Sequence, residues 1–418
     1  MKALLAAVLF LVAMPAAAQT IAITNARVMD ADRDERGMTI IVRDGRIATV
    51  SRGAPVPEGA SIIDAAGQPV TPALAAAATQ IGLVGMGGAP NTQDASVSGG
   101  SSGAALDASL AIDGNALTIE EARAGGVAWA MIYLTANDAV FAGTGAILRL
   151  APDTPAVSAA RAAMIARPSA QSGNGSRAAA WTSLRNALQE AAAPATTSNT
   201  PRDDMLGPAD LAALRPVVRG QMPLALLVDR EADIRQAIAL GRDFGIRIVI
   251  VGGAEAWRVA DELAASNVGV VLDPLDDLPF TYQTLGARRD NAAILSRAGV
   301  PIAFMVSGQT IYLSYNVGTA LREGAGLAAA NGLPRGEALR AITSGPAQVW
   351  TGTAGQGLAV GAPGDLVVWD GDPLEPASAP RHVVIAGTDV SRVTRQTLLR
   401  DRYHPSHNEA PLPPAYRE

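Results

Sequence analysis

From about Val70 to Gly345 the chain alternates short apolar runs with stretches of helical periodicity, a pattern that limits this region to parallel β/α units. The second half shows it most clearly. Pro223 to Val228 is a continuous apolar run, predicted as a buried strand, and Ile234, Ala237, Ile238 and Gly241 then fall on one face of a helix. Ile246 to Val251 predicts the next strand, followed by Ala256, Val259, Ala260, Leu263 and Ala264 at helical spacing. Val268 to Leu272 and Pro301 to Val306 continue the series. Such spacing predicts an α/β fold, a (β/α)8 TIM-like barrel over residues 70–347, with a doubly wound open sheet as the alternative.

The two ends read differently. Ile21 to Met29 and Met38 to Val50 are β-rich, and Asp44-Gly45 between β-rich halves signals a tight hairpin, because a primed turn needs positive φ. A matching β-rich set lies at Gly364 to Pro373 and Val383 to Val390. Residues 19–69 and 348–400 are therefore expected to form one small composite β-sandwich, with 401–418 as a Pro-rich tail. Within the barrel, the Gly/Ser-rich stretch 85–103 predicts a long loop after the first strand. Arg177 to Ala191 predicts a helix between polar linkers, read as a surface insertion.

Lys2 and the apolar run Ala3 to Ala18, closing on Ala16-Ala17-Ala18, have the form of a secretory signal over residues 1–18. The run is shorter than the ~20 residues of a spanning helix. The expectation is a periplasmic or secreted protein with no membrane association after cleavage. The absence of cysteine removes disulfides, thiolate metal sites and cysteine nucleophiles. A formal charge of -6 argues against a nucleic-acid partner.

The residue inventory narrows the chemistry. Lys2 is the only lysine, and the histidines are His382, His404 and His407, all beyond the barrel. A Ser-His-Asp triad, a Schiff-base lysine and a Walker loop are thus not available inside it. Carboxylate, hydroxyl and guanidinium remain at the predicted strand ends: Asp229 with Arg230, Glu255, Asp273 and Ser307. Asp229, Glu255 and Asp273 are the catalytic candidates, as ligands for a hard cation or as an acid/base pair. The competing and preferred reading is that Asp229 and Glu255 cap the helices they precede and Asp273 starts a turn at Pro274. His404 and His407 are read as solvated, and Trp257 and Trp369 as core aromatics.

Several stretches, in this order, carry a resemblance: Asn25 to Asp30, Asp44 to Ile47, Ile62 to Asp64 with Gly67, Gly252 to Trp257, Ala341 to Ala347 and Gly364 to Glu375. Together they resemble the amidohydrolase superfamily, especially its imidazolonepropionase-like branch, over nearly the whole chain after the signal. That resemblance implies a barrel whose metal is held by two histidines on strand 1, a bridging Lys or Glu, histidines on strands 5 and 6, and an Asp on strand 8. Laid on Pro72 and Leu74, the pattern puts Ala78 and Gln80 at the first two positions. The others fall near Leu227, Gly252 or Gly253, and Ser307. None is a histidine or lysine, so no metal and no other cofactor is expected, although the family normally uses zinc or another divalent ion.

The resemblance implies a hydrolase of carbon-nitrogen bonds, and the inventory implies an inactive homologue acting as a subunit or binding protein. The expected partner is a related active amidohydrolase or a second copy of the chain, with a small-molecule or peptide-like ligand of unspecified kind. The alternative is an active hydrolase of amide or peptide-like bonds that uses an oxygen-ligated metal or residues from a partner chain.

Overall fold

The structure, a computed structural model, describes residues 20–85, 92–97, 103–152, 156–193, 206–276, 278–307 and 315–404. The expected signal, parts of the 85–103 loop, and His407 lie outside the described residues.

Strand β1 (Thr20–Met29) pairs antiparallel with β2 (Asp34–Arg43), which turns through Asp44-Gly45 into β3 (Arg46–Arg52). Both turn residues have positive φ, 52° and 72°, as the hairpin signal requires. Strands β4 (Ser61–Asp64) and β5 (Pro69–Pro72) lie parallel to β1. The chain then enters the barrel.

The barrel strands are β6 (Leu74–Thr79), β7 (Val127–Ile132), β8 (Phe141–Arg149), β9 (Val157–Ala166), β10 (Leu224–Val228), β11 (Ile248–Gly252), β12 (Gly269–Leu272) and β13 (Ile302–Phe304). They are hydrogen-bonded in that order. The ring nearly closes where the Val306 N–H donates to the Ala78 carbonyl at 3.4 Å. The fold is thus α/β with a nearly closed eight-strand, TIM-like barrel, and it differs from the expected all-parallel ring in one strand. β8 runs antiparallel to both β7 and β9. The connections 133–140 and 150–156 are shorter than the dozen or so residues a parallel crossover needs, so the chain can only double back.

Helix α1 (Arg177–Ala192) corrects a second expectation. It is no surface insertion: Trp181, Leu184 and Leu188 are buried in the main core, and Trp181 Nε1 donates to Asp233 Oδ1 at 3.2 Å. The three apolar residues share one helical face, and burial of each large side chain contributes about 1.5–3 kcal/mol. Helix α2 (Glu231–Phe244) follows β10, buries Ile234, Ala237 and Leu240, and stops at Gly245 with φ 64°. Helix α3 (Asn291–Arg297) precedes β13.

Side chains from alternating strand positions fill the barrel interior, among them Ala77, Met131, Ile165, Val251, Val271 and Met305. Helix α4 (Gly345–Thr351) packs across the N-terminal ends of the strands. Its Trp350 Nε1 donates to the Ala77 carbonyl at 2.6 Å, while Arg247 donates to the Val349 and Trp350 carbonyls at 3.1 and 2.6 Å.

After α4 the chain returns to the first sheet through β14 (Leu366–Trp369), β15 (Pro380–Ile385) and β16 (Thr388–Asp389). β14 pairs with β5, so both ends of the chain build one sheet in the order β16-β15-β14-β5-β1-β2-β3, with β4 also on β1. The period of two along β14 divides its residues. Leu366 and Val368 join the core of this sheet, and Val367 and Trp369 join that of the barrel. Trp369 is fully buried and stacks against Arg322, which explains its place in a sequence motif by packing. Trp257 is partly exposed, between Arg258 and Arg288.

Candidate functional site

Asp229 follows β10, Gly252 ends β11, Asp273 follows β12 and Ser307 lies three residues beyond β13. All stand at the C-terminal ends of parallel strands, the end where a barrel of this kind presents its loops. A cavity of about 50 Å³ opens there, lined by Asp229, Gly252, Asp273, Asp276, Asn291 and Met305, with Arg288 and Arg289 at its side. Roughly 10–15 Å³ suffices to hold a water, so the space takes a few waters beside the two carboxyls.

The two carboxyls in it are held differently. Among the described residues Asp229 Oδ1 accepts only a long 3.4 Å hydrogen bond, from the Ala254 N–H. Burial pushes this carboxyl up to about 6, and the negative charge of Asp276 adds to the rise. Asp273 accepts from the Ser307 N–H at 2.7 Å through Oδ2 and from the Leu275 N–H at 3.0 Å through Oδ1. Burial raises it too, against those bonds. The Leu275 bond is the side-chain turn expected before Pro274, and the Ser307 bond ties β12 to β13.

Asn291 and Tyr133 join these groups. Asn291 Nδ2 donates to the Gly253 carbonyl at 2.9 Å, while its buried Oδ1 has no partner among the described residues. Tyr133, at the end of β7, is pushed up to about 12 by burial, with the Asp273 charge adding. Arg167, just past β9, lowers both Tyr133 and Asp229 by its positive charge. Sequence reasoning missed Tyr133, Asn291 and Asp276 as site residues. Tyr133 had a usable signal, since it directly follows the apolar run Val127 to Ile132. Asn291 had none, because its role depends on a contact with Gly253.

Glu255 does not line this cavity. Its Oε2 accepts from the Glu231 N–H at 2.8 Å and so caps α2, the helix before it in the chain and not the one it precedes. Asp229 does not cap α2 either; Arg230 holds the N-cap position, without a side-chain bond. The structure therefore brings together Asp229 and Asp273 of the three candidates.

The positions that the resemblance assigned to metal ligands carry other work. Ala78 is buried and has no donor atom. Gln80 is buried and donates from Nε2 to the Ala95 carbonyl at 3.1 Å, anchoring the segment after β6. Leu227 packs against the barrel interior, Gly252 has no side chain, and Ser307 is bonded to Asp273. Among the described residues no three His, Cys, Asp or Glu side chains gather as they would around a metal ion. This donor set does not fit a divalent transition metal. His382 lies on the terminal sheet, 2.8 Å from Asp389, and His404 is exposed.

No family model matches the chain. A curated relative, amidohydrolase tasK of Hapsidospora irregularis, is 31% identical over 147 residues, which is 28% of this chain. The chain spans only 15% of that protein's length. Among solved structures, an amidohydrolase from Thermotoga maritima MSB8 superposes with a TM-score of 0.78 at 22% identity, covering 89% of this chain and all of that one. A 5-methylcytosine deaminase from Klebsiella pneumoniae gives 0.54 at 16% identity, over 89% of this chain and 97% of the other. N-isopropylammelide isopropylaminohydrolase from Burkholderia multivorans gives 0.51 at 17%, over 89% and 98%. These neighbours are amidohydrolase-superfamily enzymes, and the fold of the present chain is theirs.

Proposed function

We propose that this protein is an exported barrel of the amidohydrolase kind, of the imidazolonepropionase-like branch, that works without the superfamily's metal centre as a non-catalytic subunit or binding protein. The observation that carries the reading is the set of residues at the ligand positions: Ala78, Leu227 and Gly252 offer no donor side chain, Gln80 turns its amide N–H to the Ala95 carbonyl, and Ser307 brings only a neutral hydroxyl beside Asp273. We take residues 1–18 as the export signal, 19–69 with 348–400 as one composite sandwich, and 70–347 as the barrel. The partner in this reading is a metal-bearing amidohydrolase or a second copy.

Elemental analysis of the purified protein, alone and with any co-purifying chain, tests it. Metal-free protein that gains metal only in a complex supports the subunit role. Stoichiometric zinc, manganese or iron on the isolated chain refutes it.

A second reading rests on the raised carboxyl of Asp229, which suits an acid/base group near neutral pH. In it the protein hydrolyses carbon-nitrogen bonds with Asp229 and Asp273, and with Glu255 only as a helix cap. Loss of turnover in Asp229→Asn and Asp273→Asn, with Glu255→Gln unaffected, is its expected signature; turnover unchanged in both Asp variants removes it.

A further inference from the structure

At the opposite end of the barrel from Asp229, a pocket of about 340 Å³ lies between the starts of β6 and β7, the end of β8, and helix α4. Its walls are apolar: Ala75, Ala76, Trp129, Met131, Ile147 and Trp350. Both indole N–H groups are already spent, Trp350 on the Ala77 carbonyl and Trp129 on Asp365 Oδ2 at 3.2 Å, so the rings present carbon to the space.

Among the described residues Asp365 is the one charged residue on the lining, and its charge is answered. Its Oδ1 accepts from Arg149 at 2.8 Å and from the Ala386 N–H at 2.8 Å, and Arg149 stacks on Trp129 at 4.7 Å. A ligand ion entering here would lose water and find no counter-charge. Polar groups remain only at the rim. Thr343 and Thr351 are bonded within their own segments, to the Leu339 and Ala347 carbonyls. The Ser344 hydroxyl and the Gln356 amide also line the pocket, and neither side chain makes a hydrogen bond to another described residue.

We propose that this pocket is a binding site for a small neutral aromatic molecule carrying one hydrogen-bonding group, its ring between Trp129 and Trp350 and its polar group at Ser344 and Gln356. The volume falls in the range of small-molecule sites, and an apolar interior with a few free polar groups at one edge is their usual composition. The site lies away from the positions of the superfamily's metal and stands whether or not the barrel mouth is active.

Calorimetric titration of the full chain with naphthol, naphthoate and naphthylmethylammonium tests this. Naphthol is expected to bind saturably and at least about tenfold more tightly than either ion. Ala347→Phe fills the pocket from the half-buried face of α4 and is expected to weaken naphthol at least about tenfold with an unchanged circular dichroism spectrum. If that variant does not fold, the rim substitutions Ser344→Ala and Gln356→Ala are expected to weaken it severalfold together. The proposal is overturned by an absence of saturable naphthol binding, by equal affinity for the ions, or by unchanged binding in the folded variants. It is also overturned if sedimentation shows naphthol competing with self-association, which would make a second copy the occupant.

Discussion

A methyl group built on Gly252 would lie 2.5 Å from Asp229 Oδ1. Gly252 ends β11 and Asp229 directly follows the neighbouring β10, and the turn after β11 is sewn to that strand end by hydrogen bonds from Gly253 N–H to the Val228 carbonyl and from Glu255 N–H to the Asp229 carbonyl, each 2.8 Å. Gly252 itself has φ 100°, where a residue with a Cβ is strained. The place near which the superfamily resemblance puts a histidine is thus closed by backbone conformation and by a neighbouring carboxylate.

Gly252→Ala is therefore expected to cost about 1–3 kcal/mol, from strain at positive φ and displacement of Asp229. Gly252→His should cost at least as much and confer no zinc binding. Urea denaturation and a zinc titration check both statements. An alanine variant as stable as the wild type would mean that Asp229 can swing aside freely.

Asp229 also predicts a pH dependence. Its carboxyl sits at about 6 in the folded protein against an ordinary 3.8, so between these values the native state holds a proton that the unfolded chain has released. Stability accordingly falls as pH rises from about 4 to about 6, by about 3 kcal/mol in all. Asp229→Asn keeps an acceptor for the Ala254 N–H and removes the titration. The variant should be more stable than wild type at pH 7.5 and equal to it near pH 3.5. Urea midpoints at the two values decide it, and a constant difference between the proteins would count against the raised carboxyl.

Glu255 is expected to behave as a cap. Glu255→Ala removes the acceptor of the Glu231 N–H and a negative charge at the start of α2, at a cost of about 1 kcal/mol. Ligand binding at either end of the barrel should not change. A change in naphthol affinity or in any turnover, with stability unaltered, would contradict the assignment.

The parts of this molecule legible in sequence are those set by local chemistry. Strands β10 to β13 announced themselves as short apolar runs, and the Asp44-Gly45 turn as a glycine after a residue that tolerates positive φ. Helix α1 was legible as a helix but not as core, because only the fold shows Trp181 reaching Asp233. The reversal of β8 was written in short connections that a count of apolar runs passes over. At the site, Asp229 and Asp273 could be found by their place after strands, whereas Glu255 looked equivalent to them. Its separation depends on which way one side chain turns at a strand end, a choice made by the Glu231 N–H and by Gly286, where a Cβ would lie 2.5 Å from Glu255 Oε1.

The Arg149–Asp365 pair offers a test of how the sheet from both chain ends is locked to the barrel. Asp365 precedes β14 and Arg149 ends β8, and their side chains are 7% and 21% exposed. Asp365 also holds Trp129 Nε1 and the Ala386 N–H, so one carboxylate joins a barrel strand, its neighbour and the terminal sheet. Removing it leaves a largely buried guanidinium without its counter-charge, and Asp365→Ala is expected to cost about 3–5 kcal/mol. Arg149→Met together with Asp365→Leu removes both charges and fills the space, and should recover most of that loss, since desolvation offsets much of a buried pair's attraction. Chemical denaturation of the single and double variants separates the two effects. A double variant as unstable as Asp365→Ala would show that the bonds to Trp129 and Ala386, and not the ion pair, hold the two parts together.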